Sequence, residues 1–217
     1  MYKTVVFDLD GTLLNTLTDL ADAGNRLCRK YGWPTHERQA YRYFVGNGIP
    51  KLVERLAPAD QRTPAVLEAA LADFKRDYGQ HLRDTTAPYP SIPEMLAKLK
   101  ANGVQLAVFS NKADALAKEV VKDYFGTQYF TIVRGQMTGV APKPAAEGTN
   151  ALLQALHADP ASTLYVGDSN VDVETAHNAN LPCCGAVWGF RTREELNAAG
   201  AEYLAENSDE LYDVIMK

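Results

Sequence analysis

Asp8 and Asp10 stand one residue apart where an apolar run ending at Phe7 meets Gly11, in the stretch VVFDLDGTLL. Two carboxylates so close repel each other, and burial makes their ionisation costlier. Such a pair needs a cation beside it or a proton on one member. Ser110 and Asn111 close a second apolar run, VQLAVFS, and offer a hydroxyl, an amide and backbone N–H groups suited to an anion. Lys143 lies between Pro142 and Pro144, which stiffen the backbone and oppose a helix start there. Asp168 and Asp172 follow a third run, TLYVG, and at i and i+4 they could share one helical face. Each signal has a plain alternative: a turn, a helix cap or a solvated lysine. Together the acids form an all-oxygen donor set with no histidine or cysteine close by in sequence, which selects a hard cation, Mg²⁺ above Zn²⁺. Mg²⁺ and Lys143 facing hydroxyl and amide donors would make a phosphate site. The carboxylate side offers a nucleophile and a proton-transfer group.

These groups converge only if the right elements carry them. TVVFDLD has the β-branched, apolar character of a strand buried on both faces of a parallel sheet. Residues 15 to 86 show helical periodicity and no comparable strand. Their stripes are Leu17, Leu20 and Leu27, then Leu52, Val53 and Leu56, then Val66, Leu67, Leu71, Phe74 and Tyr78. After that, Ser91 and Glu94 stand at capping-box spacing before a helix that Gly103 should stop. Strands are expected over 104–110, 130–135, 163–168 and 185–189. The helices between them are expected over 113–124, 145–157 and 171–179, and a last one from about Ser208. This alternation predicts an α/β fold, a doubly wound parallel sheet with an inserted all-helical cap domain. The expected domains are an α/β core of residues 1–14 and 87–217 and a helical cap of residues 15–86. Ligands of such sheets bind beyond the carboxyl ends of the strands, where Asp8, Ser110 and Asp168 all fall.

Composition narrows the function further. The formal net charge of −5 over 217 residues gives no support for a nucleic-acid partner or an acidic membrane surface. No apolar run approaches the roughly 20 residues that span a bilayer. Three cysteines, two of them adjacent at Cys183 and Cys184, make neither a disulfide framework nor a metal-type spacing, and point to buried thiols in a reducing, cytoplasmic setting. His36, His81, His157 and His177 are scattered without metal-ligand spacing.

With these residues in place, the sequence resembles the haloacid dehalogenase-like phosphohydrolases over essentially its whole length. Asp8 to Thr12 resembles that family's first motif, Ser110-Asn111 its second, Lys143 its third and Gly167 to Asp172 its fourth. The resemblance implies that Asp8 attacks phosphorus and forms an aspartyl-phosphate. It implies that Asp10 protonates the leaving oxygen and then activates the hydrolytic water. Mg²⁺ would be held by the Asp8 carboxylate, the Asp10 backbone carbonyl and Asp168, with Asp172 supporting from the outer shell. Thr12, Ser110, Asn111 and Lys143 would hold the phosphoryl oxygens. The presence of Asp10 beside Asp8 favours phosphate esters over the family's dehalogenase chemistry.

Within the family the likeness is to the phosphoglycolate phosphatases, carried by residues 44–56, 187–191 and 167–179, which implies 2-phosphoglycolate as substrate. Asn15, Thr16 and Asn180 depart from that group's usual Asp-Ser and glycine. Arg42, Gly46 and Asn47 are the expected substrate-reading residues of the cap. Other small phosphates (a sugar phosphate, a nucleotide or pyrophosphate) would suit the same chemistry, as would a sugar phosphomutase. A receiver-like signalling domain also gathers acids, a hydroxyl and a lysine around Mg²⁺. An acceptor on the first strand followed by a helical insertion does not suit it. The expected assembly is a monomer or homodimer.

Overall fold

The computed structural model describes all 217 residues, and the chain divides into two compact units. One comprises Met1–Leu14 and Pro88–Lys217, the other Asn15–Ala87. The connecting segments, β2 (Leu14–Asn15) and β3 (Ala87–Pro88), pair as a two-stranded ribbon that the sequence did not suggest.

The first unit is built on a six-stranded parallel sheet. Its strands are β1 (Thr4–Phe7), β4 (Gln105–Ala113), β5 (Phe130–Gln136), β6 (Thr163–Gly167), β7 (Cys183–Ala186) and β8 (Tyr203–Ala205), in spatial order β5-β4-β1-β6-β7-β8. The intervening helices are α5 (Ile92–Ala101), α6 (Asp114–Phe125), α7 (Ala146–Leu156), α8 (Asn170–Asn178), α9 (Arg193–Ala199) and α10 (Ser208–Met216). β1 is central, and Val5, Val6 and Phe7 are wholly buried. Successive side chains of a strand face opposite ways. Val6 joins Leu152, Leu156, Val173, Ala176 and Leu196 beneath α7, α8 and α9. Phe7 instead meets Phe130 edge-on at 6.5 Å between ring centroids, and Phe130 meets Phe125 at the end of α6. Burying each such side chain stabilises the fold by about 1.5–3 kcal/mol.

Several sequence expectations are corrected here. Ser91 adopts a left-handed backbone conformation (φ 59°) and makes no side-chain cap. Its carbonyl accepts from Met95 N while the hydroxyl serves none of the first-turn amides, so the capping-box spacing to Glu94 goes unused. The strand expected over 185–189 runs earlier, because Tyr165 pairs with Cys183 in register and the chain turns at Gly189. β8 and α9 were not anticipated, although Thr192 and Glu195 cap α9 reciprocally. Asn180, where a glycine is usual in the resembled group, takes φ 56°, a conformation asparagine tolerates well.

The second unit holds α1 (Leu17–Tyr31), α2 (Arg38–Phe44), α3 (Ile49–Leu56) and α4 (Pro64–His81). Its core is Leu20, Leu27, Tyr41, Leu52, Val53, Leu56, Ala70, Phe74 and Tyr78, the last three on one stripe of α4. Asp19, buried in the first turn of α1, closes the unit. Its two oxygens accept from the backbone N–H and the hydroxyl of both Thr85 and Thr86, at 2.5–2.9 Å.

Candidate active site

The strand order β4-β1-β6 sets three strand ends side by side at the carboxyl edge of the sheet. Phe7 pairs with Val108 on one side and Val166 on the other, so Asp8, the Ser110–Lys112 segment and Asp168 emerge as neighbours. Asp8 N donates to Val166 O at 2.8 Å, which holds the Asp8 backbone to the sheet edge.

Lys143 comes from the loop between β5 and α7 and is fixed by Asn111. The Asn111 amide accepts from Lys143 N (2.8 Å) and donates to Lys143 O (3.2 Å). The side chain expected to face an anion is therefore committed to the Lys143 main chain. The Lys143 ammonium lies 2.8 Å from Asp8 Oδ1 and 2.7 Å from Asp172 Oδ1. It also donates to Tyr165 Oη (3.2 Å) and Phe109 O (3.3 Å). All of these groups are buried, so the contacts act in a poorly screened medium.

Asp172 serves two purposes. Its Oδ2 accepts from Ser169 N (3.1 Å) and Ser169 Oγ (2.7 Å) as the capping box of α8, while Oδ1 meets Lys143. The cap and the cluster are thus one arrangement. Asp168 lies ahead of the N-cap Ser169, so it does not share a helical face with Asp172. It accepts instead from Phe190 N (2.7 Å) and Thr12 Oγ1 (3.3 Å). Gly11 (φ 94°) and Gly189 give Asp168 its room, since a Cβ on either would run into its carboxylate side chain. Gly167 does the same for Asp172.

One oxygen each from Asp8, Asp168 and Asp172 fall within 4.8 Å of one another. Burial pushes the Asp8 carboxyl up to about 7; Lys143 opposes the rise, and Asp172 and Asp10 add to it. Burial, then the Asp172 and Asp8 charges, push Asp168 well above the usual carboxylate range. Burial works against the Lys143 ammonium, but Asp172 and Asp8 outweigh it and hold its pKa well above normal. Of the three buried carboxylates, Asp8 and Asp172 touch the one ammonium of Lys143 while Asp168 touches none, so the cluster is short of positive charge. Its donors are all oxygen, which fits a hard divalent cation and ill suits a soft one.

Asp10 is directed elsewhere. Its oxygens lie 3.0 and 3.3 Å from the ammonium of Lys112, a residue to which the sequence reading gave no part. Ser110 Oγ accepts from Lys112 N at 3.2 Å. Thr12 is buried and its carbonyl accepts from Trp188 Nε1 at 3.0 Å. Tyr165, Trp188 and the Phe190 N–H were also missed, whereas a cap at the start of α8 was among the sequence alternatives and Ser169 is that cap. Arg42, Gly46 and Asn47 belong to the helical unit: Arg42 in the last turn of α2, Gly46 (φ 110°) and Asn47 in the loop before α3. There Asn47 Oδ1 accepts from Arg55 Nη2 at 2.9 Å.

The haloacid dehalogenase-like hydrolase family profile matches residues 5–186. A phosphoglycolate phosphatase of Chromobacterium violaceum is 31% identical over 216 residues, covering 98% of this chain and 96% of its own. A phosphoglycolate phosphatase of Vibrio parahaemolyticus is 28% identical over 218 residues, covering 98% and 96%. A solved structure from Lactobacillus delbrueckii subsp. bulgaricus superposes with a TM-score of 0.93 at 28% identity, covering 99% of this chain and 98% of that one.

Proposed function

Because this chain belongs to the haloacid dehalogenase-like hydrolases and is a phosphatase among them, we propose that it hydrolyses 2-phosphoglycolate through an aspartyl-phosphate on Asp8. The observation that carries this reading is the buried ammonium of Lys143 held between Asp8 and Asp172 beside Asp168. An incoming phosphate dianion meets a fixed cation and oriented hydroxyls there, and phosphoryl transfer needs positioning and charge neutralisation above all.

Asp8 is the nucleophile, its carboxylate aimed by Lys143 and by the β1 backbone. Asp10 gives a proton to the leaving oxygen and later takes one from water. Thr12, Ser110 and the backbone around Asn111 receive the phosphoryl oxygens, while the Asn111 side chain keeps Lys143 in place. Asp8, the Asp10 carbonyl and Asp168 would hold Mg²⁺, with Asp172 supporting through Lys143 and Ser169. When bound, the ion supplies charge neutralisation to the phosphate and to the crowded carboxylates. Choice among leaving groups is assigned to the helical unit as a cap, with Arg42, Gly46 and Asn47 as its candidate residues. The buried thiols of Cys28, Cys183 and Cys184 agree with a reducing, cytoplasmic setting.

Hydrolysis measured across a panel of phosphate esters tests the substrate. The expected result is a kcat/KM for 2-phosphoglycolate about 10-fold or more above those for sugar phosphates, nucleotides and pyrophosphate. A low rank for 2-phosphoglycolate overturns that assignment and leaves the phosphatase chemistry standing. Asp8→Asn should abolish turnover, and EDTA should silence the enzyme until Mg²⁺ is returned. Turnover that survives either treatment refutes the mechanism.

A further inference from the structure

We propose that Lys112 is a positioning residue that holds the Asp10 carboxylate in line for proton transfer. The inference rests on the role given to Asp10 above. The Lys112 side chain is 2% exposed and that of Asp10 14%. The Lys112 ammonium touches both oxygens of Asp10, at 3.0 and 3.3 Å. Contact with both oxygens holds the carboxylate head in place on the ammonium. A lysine head this dry is costly to bury without an ionic partner, so the contact is not one of many interchangeable surface pairings.

Its place in the chain gives the contact its reach. Lys112 is two residues beyond Ser110 at the end of β4, and its own N–H donates to Ser110 Oγ. The residue between them, Asn111, clamps the backbone of Lys143. One tripeptide therefore sets the hydroxyl at Ser110, the lysine that touches Asp8, and the carboxylate of Asp10. Shifting that strand end would move nucleophile partner and acid together. Replacing Lys112 alone should release the acid and leave the Asn111 clamp on Lys143 in place. Errors of about 1 Å in such a group cost on the order of 100-fold in rate.

The test compares Lys112→Met, Lys112→Gln and Lys112→Arg in the parent and in an Asp10→Asn background, with kcat and KM measured on the best phosphate ester and folding checked by circular dichroism. Lys112→Met should lower kcat about 10- to 100-fold and leave KM within about twofold, with partial recovery in Lys112→Arg. In the Asp10→Asn background the same substitution should cost less than about twofold, because the residue it acts through is gone. Parental kcat in the lysine variants overturns the proposal. So does a loss confined to KM, or full losses that multiply with Asp10→Asn. If Lys112→Met does not fold, Lys112→Gln and Lys112→Arg, which keep a polar head, carry the same comparisons. Asp10→Asn alone separates the two ideas: parental kcat there removes the role of Asp10. A fall there with Lys112 variants unaffected removes only that of Lys112.

Discussion

Supplied with no metal, this protein should lose stability as pH rises, and Asp8 should be a principal cause. Burial and the neighbouring carboxylates raise its pKa from an ordinary aspartate's 3.8 to about 7, against the pull of Lys143. Between those values the native state keeps a proton that the unfolded chain has released. The unfolding free energy therefore falls with pH across that window. The contribution is fully present below the unfolded value and is lost as pH passes through the folded one. At about 1.36 kcal/mol per pK unit, the gap amounts to roughly 4 kcal/mol. Asp168 is shifted in the same direction and steepens the fall.

Asp8→Asn replaces the titrating group by a neutral one of the same shape. The assay is urea unfolding in EDTA at intervals from pH 5 to pH 8. The parent should lose several kcal/mol over that range, and Asp8→Asn should lose less and be the more stable protein at pH 8. Mg²⁺ at pH 8 should then stabilise the parent by mass action, and the variant much less. Two results refute the reasoning. One is a parent whose metal-free stability rises from pH 5 to pH 8. The other is an Asp8→Asn variant with the parental slope.

Other substitutions probe the same cluster from its remaining sides. Lys143→Met leaves Asp8 and Asp172 without their shared ammonium and should cost about 3–5 kcal/mol in urea unfolding at pH 8. Tyr165→Phe removes one oxygen from the Lys143 ammonium and should cost about 0.5–1.5 kcal/mol in the same assay, with the fold unchanged by circular dichroism. Gly167→Ala places a methyl group against the Asp172 side chain and should cost about 1–3 kcal/mol in thermal unfolding, with a fall in kcat that Gly103→Ala does not share.

What the sequence disclosed and what it hid divide along a physical line. Asp8, Lys143, Asp168 and Asp172 were legible because charged groups at the ends of apolar strands, or between prolines, have no ordinary place in a buried sheet. Lys112 is a charged group at a strand end as well, yet directly before the helix expected over 113–124 nothing marks its side chain as buried. Only the strand's continuation to Ala113 shows that it stays inside. Tyr165 was hidden for the opposite reason. It lies in an apolar run where any large side chain packs, and only its hydroxyl, 3.2 Å from Lys143, gives it a part in the site. The Phe190 N–H that receives Asp168 is a backbone group, and no residue type announces which loop will return to which strand end. A helix cap at Asp168 or Ser169 and a charged site are alternatives in the sequence, but the two oxygens of Asp172 let the structure have both. Capping α8 fixes one oxygen and so aims the other at Lys143, which makes the commonplace feature of the motif the cause of the functional one.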